Sequence, residues 1–105
     1  MTGFVPRLTK VGIVLGIIIV LLGISDIATT MAILAKGGTE LNPLVVWMMS
    51  VWGSFWPIPK LCLHFIGGLT VAFFFERRDI KVLTILLTIL YVFIIISNTL
   101  TLVFI

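Results

Sequence analysis

Charge is what this sequence has least of. Asp, Glu, Lys and Arg make up 10% of its 105 residues, and only four of those side chains are acidic. With 61% of its residues hydrophobic, the chain has no material for a water-exposed shell, which excludes a soluble globular domain. Cysteine occurs once, at Cys62 inside an apolar run. A single thiol excludes an intramolecular disulfide, and it reads as a small buried hydrophobe. Histidine also occurs once, so no ligand-spacing motif for a metal exists. The basic residues sit at segment ends and form no patch for nucleic acid; a net charge of +3 suits anionic lipid headgroups instead. Catalytic signatures are missing as well: no His-Glu-x-x-His, no Gly-x-Ser-x-Gly, no nucleotide loop and no paired aspartates. The chain is expected to be non-catalytic itself, with no cofactor and no metal.

What is present is a series of long hydrophobic runs. A bilayer core about 30 Å thick needs roughly 20 apolar residues per helix, so the chain has room for about four spans and one domain, residues 1–105. Arg7 and Lys10 ahead of the first run resemble a signal peptide. The run from Val11 to Ala35 is nevertheless too long for one, carries Asp26, and lacks a small-x-small cleavage site. The sequence therefore predicts an all-α, four-helix transmembrane bundle with spans at about 11–35, 43–56, 60–75 and 82–105. Lys36-Gly37-Gly38 ends the first span, and Asn42-Pro43 opens the second as N-cap and first helical residue, with Glu40 just before it. Pro57-Ile58-Pro59 is read as an interruption that leaves the second span only about 21 Å long. The charged link from Glu76 to Lys81 separates the last two spans. Four crossings of a cell membrane return both termini to one side, and the link cations lean that side outward. Trp56 is expected to mark an interface.

Several polar groups fall on shared helical faces. Gly12, Gly16, Gly23, Asp26 and Thr30 form one stripe, read as a helix-packing face of small residues with an ionisable group set into it. An ionised Asp26 about 15 Å inside its span costs at least a few kcal/mol, so it needs a partner or a proton. Lys60 is the candidate partner, unless it extends to the headgroups beside Trp56. His64 follows one turn later on the same face, with Gly67 beyond it. Asp26, Glu40 and His64 together make a chemically sensible set for a divalent metal, though a hydrogen-bonded packing histidine is the plainer reading. Thr84, Thr88, Tyr91 and Asn98 line one face of the last span and supply hydroxyls and an amide to the interior.

The ordered set Asp26-x-x-Thr29-Thr30, Gly37-Gly38-Thr39-Glu40-Leu41-Asn42-Pro43, Lys60 and Tyr91 to Asn98 resembles a family of small four-helix membrane proteins of archaea and bacteria with no known function. The resemblance covers nearly the whole chain. It implies that Asp26, Thr30, Glu40, Asn42, Pro43 and Lys60 act as one site; His64 lies outside the matched pattern, and the family offers no activity to carry over.

Two functional expectations follow. A bundle without loops has little surface for a solvent-facing active site. That favours a small accessory subunit of a larger membrane complex, with other membrane subunits as partners, by analogy with archaeal membrane oxidoreductases or monooxygenases. The alternative is a small ion, proton or solute carrier, working as a homo-oligomer, in which Asp26, Glu40 and Lys60 exchange partners with the cargo.

Overall fold

The computed structural model describes residues 5–105, and the first four residues of the expected domain lie outside the described part. The fold is all-α, with four helices: α1 (Lys10–Ala35), α2 (Pro43–Trp52), α3 (Pro57–Phe74) and α4 (Arg78–Phe104), plus a 3₁₀ turn at Gly53–Phe55 between α2 and α3.

The ends of these helices follow from local chemistry. Thr9 caps α1 by accepting a hydrogen bond from the Gly12 amide at 3.0 Å. At the other end Gly37 takes φ 84°, which lets its amide reach Leu34 O and the Gly38 amide reach Ile33 O. This paired arrangement is a helix stop that favours glycine at the left-handed position. Asn42 caps α2 through Leu44 N at 3.0 Å, and Gly53 at φ 58° ends it. Pro57 does not break a helix: it is the first residue of α3, where its missing N–H costs nothing. The third helix therefore begins three residues before the expected Lys60. Likewise α4 begins at Arg78 rather than Val82, because Asp79 in its first turn accepts from the Ile80 amide at 2.9 Å and favours the positive end of the helix.

Close backbone contact joins α1 to α3. The two run antiparallel, with Gly12 against Ala72, Gly16 against Gly68, Gly23 against the His64 ring and Asp26 against Lys60. A Cβ built on Gly16 would lie 2.5 Å from Gly68 O, so the two backbones touch only because neither residue has a side chain. On α3 the matching stripe is Lys60, His64, Gly68 and Ala72, all buried at four-residue spacing. Gly68 makes the close approach; Gly67, expected there, meets only Ile19 at 3.8 Å. The last helix is antiparallel to α3, since Tyr91 packs on His64, and parallel to α1, since Asn98 reaches Asp26 and Lys36 reaches Leu102 O.

The second helix is short, as expected, and ends at Trp52 rather than at residue 56. It has 10 residues, about 15 Å, too few to cross a bilayer core. Beyond Lys36 the chain turns back into the bundle until Asn42, Leu44 and Val45 share a cavity with Ile19, His64 and Tyr91. Then α2 runs back outward, and Val45 and Met48 pack with Ile27 and Trp56 before α3 starts down again. Three helices, α1, α3 and α4, are long and apolar enough to cross a membrane. The two ends of the described chain lie at opposite ends of the bundle: Arg7 N bonds Phe73 O at one, and Lys36 holds Leu102 O at the other. Two further expectations are corrected. Trp56 is 6% exposed and turned into the core, because it is needed to cover the α2 turn. Cys62 faces outward, two residues past Lys60 and so off the inner face of α3.

Candidate functional site

The inner faces of α1, α3 and α4 converge on Asp26. Its Oδ2 lies 2.8 Å from Lys60 Nζ, with both side chains less than a tenth exposed. Oδ1 accepts hydrogen bonds from Asn98 Nδ2 at 3.2 Å and from Thr30 Oγ1 at 3.5 Å. The Asn98 amide also donates to Thr29 Oγ1 at 3.0 Å, tying α4 to α1 at a second point. The antiparallel register that sets Gly16 on Gly68 carries Lys60 to the depth of Asp26, so Lys60 reaches the carboxylate and not the headgroup level. Among the described residues every buried side-chain nitrogen and oxygen has a partner. That is the condition for holding a charge pair where water is scarce.

The pair is not sealed in packing. A cavity of about 340 Å³ lies against it, lined by Asp26, Thr30, Ile33, Thr39, Glu40, Leu41, Asn42, Lys60, Phe93, Ile94, Ser97, Asn98 and Thr101. Glu40, half-buried, stands at its margin and accepts the Asn42 amide at 2.8 Å. Asn42 and Lys60 also line a smaller, deeper cavity of about 130 Å³ with His64 and Tyr91. His64 hydrogen-bonds the Ile19 backbone and meets the Tyr91 ring edge-on at 4.8 Å between centroids. Six of the residues singled out in the sequence, Asp26, Thr30, Glu40, Asn42, Lys60 and Asn98, thus surround one space, and His64 borders the next. Asp26, Glu40 and His64 do not gather as metal ligands: among the described residues no three His, Cys, Asp or Glu side chains come close enough. Thr84 and Thr88 face inward but bond their own helix, to Ile80 O and Thr84 O. Thr39, Ser97 and Thr101 were missed. Ser97 and Thr101 sit next to, and three residues beyond, Asn98 on α4, a helical spacing that marks one face.

A second charged contact lies at the end of the bundle opposite Lys36, where Arg7 pairs with Glu76 at 2.6 Å. The hydrogen bonds that Arg7 donates to Glu76, then the Glu76 charge, hold the Arg7 guanidinium still more firmly in its protonated form.

An all-helical bundle with three membrane-length helices, most of its large apolar side chains turned outward and an ion pair inside defines the class: its composition is compatible with a membrane protein. The chain belongs to the family described as a domain of unknown function, DUF5658, whose model matches residues 17–104. That match takes in α3, α4 and all but the first turns of α1, and with them the whole site. Neither the curated proteins nor the solved structures contain a match to this chain.

Proposed function

We propose that this chain is a small membrane protein that crosses the bilayer three times, with residues 37–52 re-entering from one face, and that it binds and passes a small polar or charged solute at the Asp26–Lys60 site. The cavity carries this reading. A purely structural ion pair is best enclosed, whereas this one borders about 340 Å³ of space that Glu40 also lines. The half-length α2, starting inside the bundle, is a form of helix that membrane carriers place at binding sites.

Orientation follows from the three-pass topology. Of seven cations, Arg7, Lys10, Arg77, Arg78 and Lys81 cluster at one end, Lys36 lies at the other and Lys60 is buried between. Such asymmetry supports a cytoplasmic location for the end bearing Arg7, with the cavity towards the opposite face. Three crossings are few for a pathway, and α4, which buries only Thr84 fully, offers an outer face for a second copy.

The same α4 face supports a second reading, the accessory subunit, in which a host protein covers it and the ion pair fixes helix register. Reconstitution into liposomes separates the two. Solute or ion uptake that disappears in Asp26→Asn and Lys60→Met proteins of unchanged helicity supports the carrier. Native mass spectrometry that finds a fixed hetero-complex, with no uptake by the isolated chain, favours the subunit. For orientation, cysteines placed at Lys10 and Leu41 in a Cys62→Ser background should label from opposite sides of intact cells.

A further inference from the structure

The larger cavity is lined mainly by oxygen atoms and carries an excess of negative charge. One N–H of the Lys60 ammonium is engaged by Asp26, and the Asn98 amide is engaged by Asp26 and Thr29. Thr30 Oγ1 donates to Asp26, and Thr101 Oγ1 donates to Ser97 O. The amides that an anion would seek at the start of α2 are also taken, Asn42 N by Glu40 and Leu44 N by Asn42. What faces the space is mainly carboxylate, hydroxyl and amide oxygen, beside the one ammonium of Lys60. Its formal charges are Asp26 and Glu40 against Lys60, a surplus of one negative charge in a low-dielectric setting. Hard oxygen ligands with one uncompensated negative charge match a single positive charge of modest size.

We propose that the occupant of this cavity is a monovalent cation, an alkali ion or an ammonium group, held by Asp26 and Glu40 with hydroxyl oxygens of Thr30 and its neighbours. This rests on the binding reading above and narrows it. Lys60 then acts as a built-in competitor: it occupies Asp26 when the cavity is empty and holds the surplus charge at one, so that one monovalent ion suffices. Removing Lys60 should therefore strengthen cation binding, the opposite of what an anion or neutral-solute site would show.

The test uses the full chain in lipid nanodiscs at pH 8, above the ordinary histidine range so that His64 is neutral. NaCl, KCl and NH₄Cl are titrated against N-methylglucamine chloride at constant ionic strength, and the heat of binding is followed. At least one of the three cations should bind saturably, one per chain. Glu40→Gln, at the half-buried margin where folding is not at stake, should weaken it by roughly tenfold or more. That is the scale of losing one charge across a cavity at an effective dielectric constant of about 20. Lys60→Met should tighten binding by a similar factor; if that variant does not fold, the Glu40→Gln result decides. Indifference to Glu40→Gln, loss of binding in folded Lys60→Met, or a flat titration overturns the proposal. A flat cation titration alongside Asp26-dependent uptake of another solute removes this inference alone. No binding and no uptake of any species removes the carrier reading with it.

Discussion

Replacing Lys60 by Met leaves the Asp26 carboxylate at the depth where the fold holds it, with Asn98 and Thr30 as its remaining partners. At 2.8 Å and an effective dielectric constant of about 20, the attraction lost is about 6 kcal/mol, of which the desolvation of the pair has already offset a part. The expected net cost of either single change, Lys60→Met or Asp26→Asn, is about 3–5 kcal/mol, because each leaves one charge buried without its partner. Removing both charges leaves an amide beside a thioether, and that double variant should lose no more than about 2 kcal/mol. The two positions are thus expected to couple by at least about 3 kcal/mol. Reversible unfolding in mixed micelles, titrated with SDS and followed by helical circular dichroism, gives all four free energies. Additivity to within about 0.5 kcal/mol would refute the pairing, since that is how sites without contact behave.

Three other outcomes are expected. Gly16→Ala puts a methyl 2.5 Å from Gly68 O and should cost about 1–3 kcal/mol in the same titration, whereas Gly67→Ala, with only Ile19 at 3.8 Å, should stay within about 0.5 kcal/mol. Gly23→Ala drives its methyl into the His64 ring, so the loss should be largely recovered when His64→Ala is added, a non-additive pair readable from unfolding midpoints. Trp47 and Trp52 are each about half exposed and Trp56 is buried; in single-tryptophan variants, brominated lipid should quench Trp47 and Trp52 strongly and Trp56 weakly.

The helices of the bundle were largely legible because hydrophobic runs and their punctuation are local. Gly12, Gly16, Gly23, Asp26 and Thr30 all lie on the buried face of α1, as their helical spacing implied. Asn42-Pro43 starts α2 through the chemistry that cap and proline always bring. What could not be read was direction. Whether α2 crosses or doubles back depends on where the Gly37–Leu41 stretch leads, and no periodicity encodes that. The Pro57-Ile58-Pro59 run was ambiguous for a related reason: proline ends a helix from inside but begins one comfortably, and sequence does not say which side of it the helix lies. The partnership of Asp26 and Lys60 could be framed in advance by depth alone, while the cavity beside it depends on how far α4 stands from the α2 entry, which is set by packing. Trp56 shows the limit of residue-type reasoning, since the membrane-interface habit of tryptophan yielded to the need to cover Ile27, Val45 and Met48.

The ion pair also constrains how the protein is made. Asp26 leaves the ribosome some thirty residues ahead of Lys60, a delay of a few seconds at roughly 5–20 residues per second, and its third partner, Asn98, lies 72 positions on. During that interval α1 carries an acidic side chain with nothing to answer it. On the three-pass reading proposed above, the first helix has reason to linger beside the insertion machinery, or with Asp26 protonated, until α3 arrives and the two can enter lipid as a hairpin. On the same reading the short α2, with too few residues to cross a bilayer core, depends on its neighbours for the walls around it.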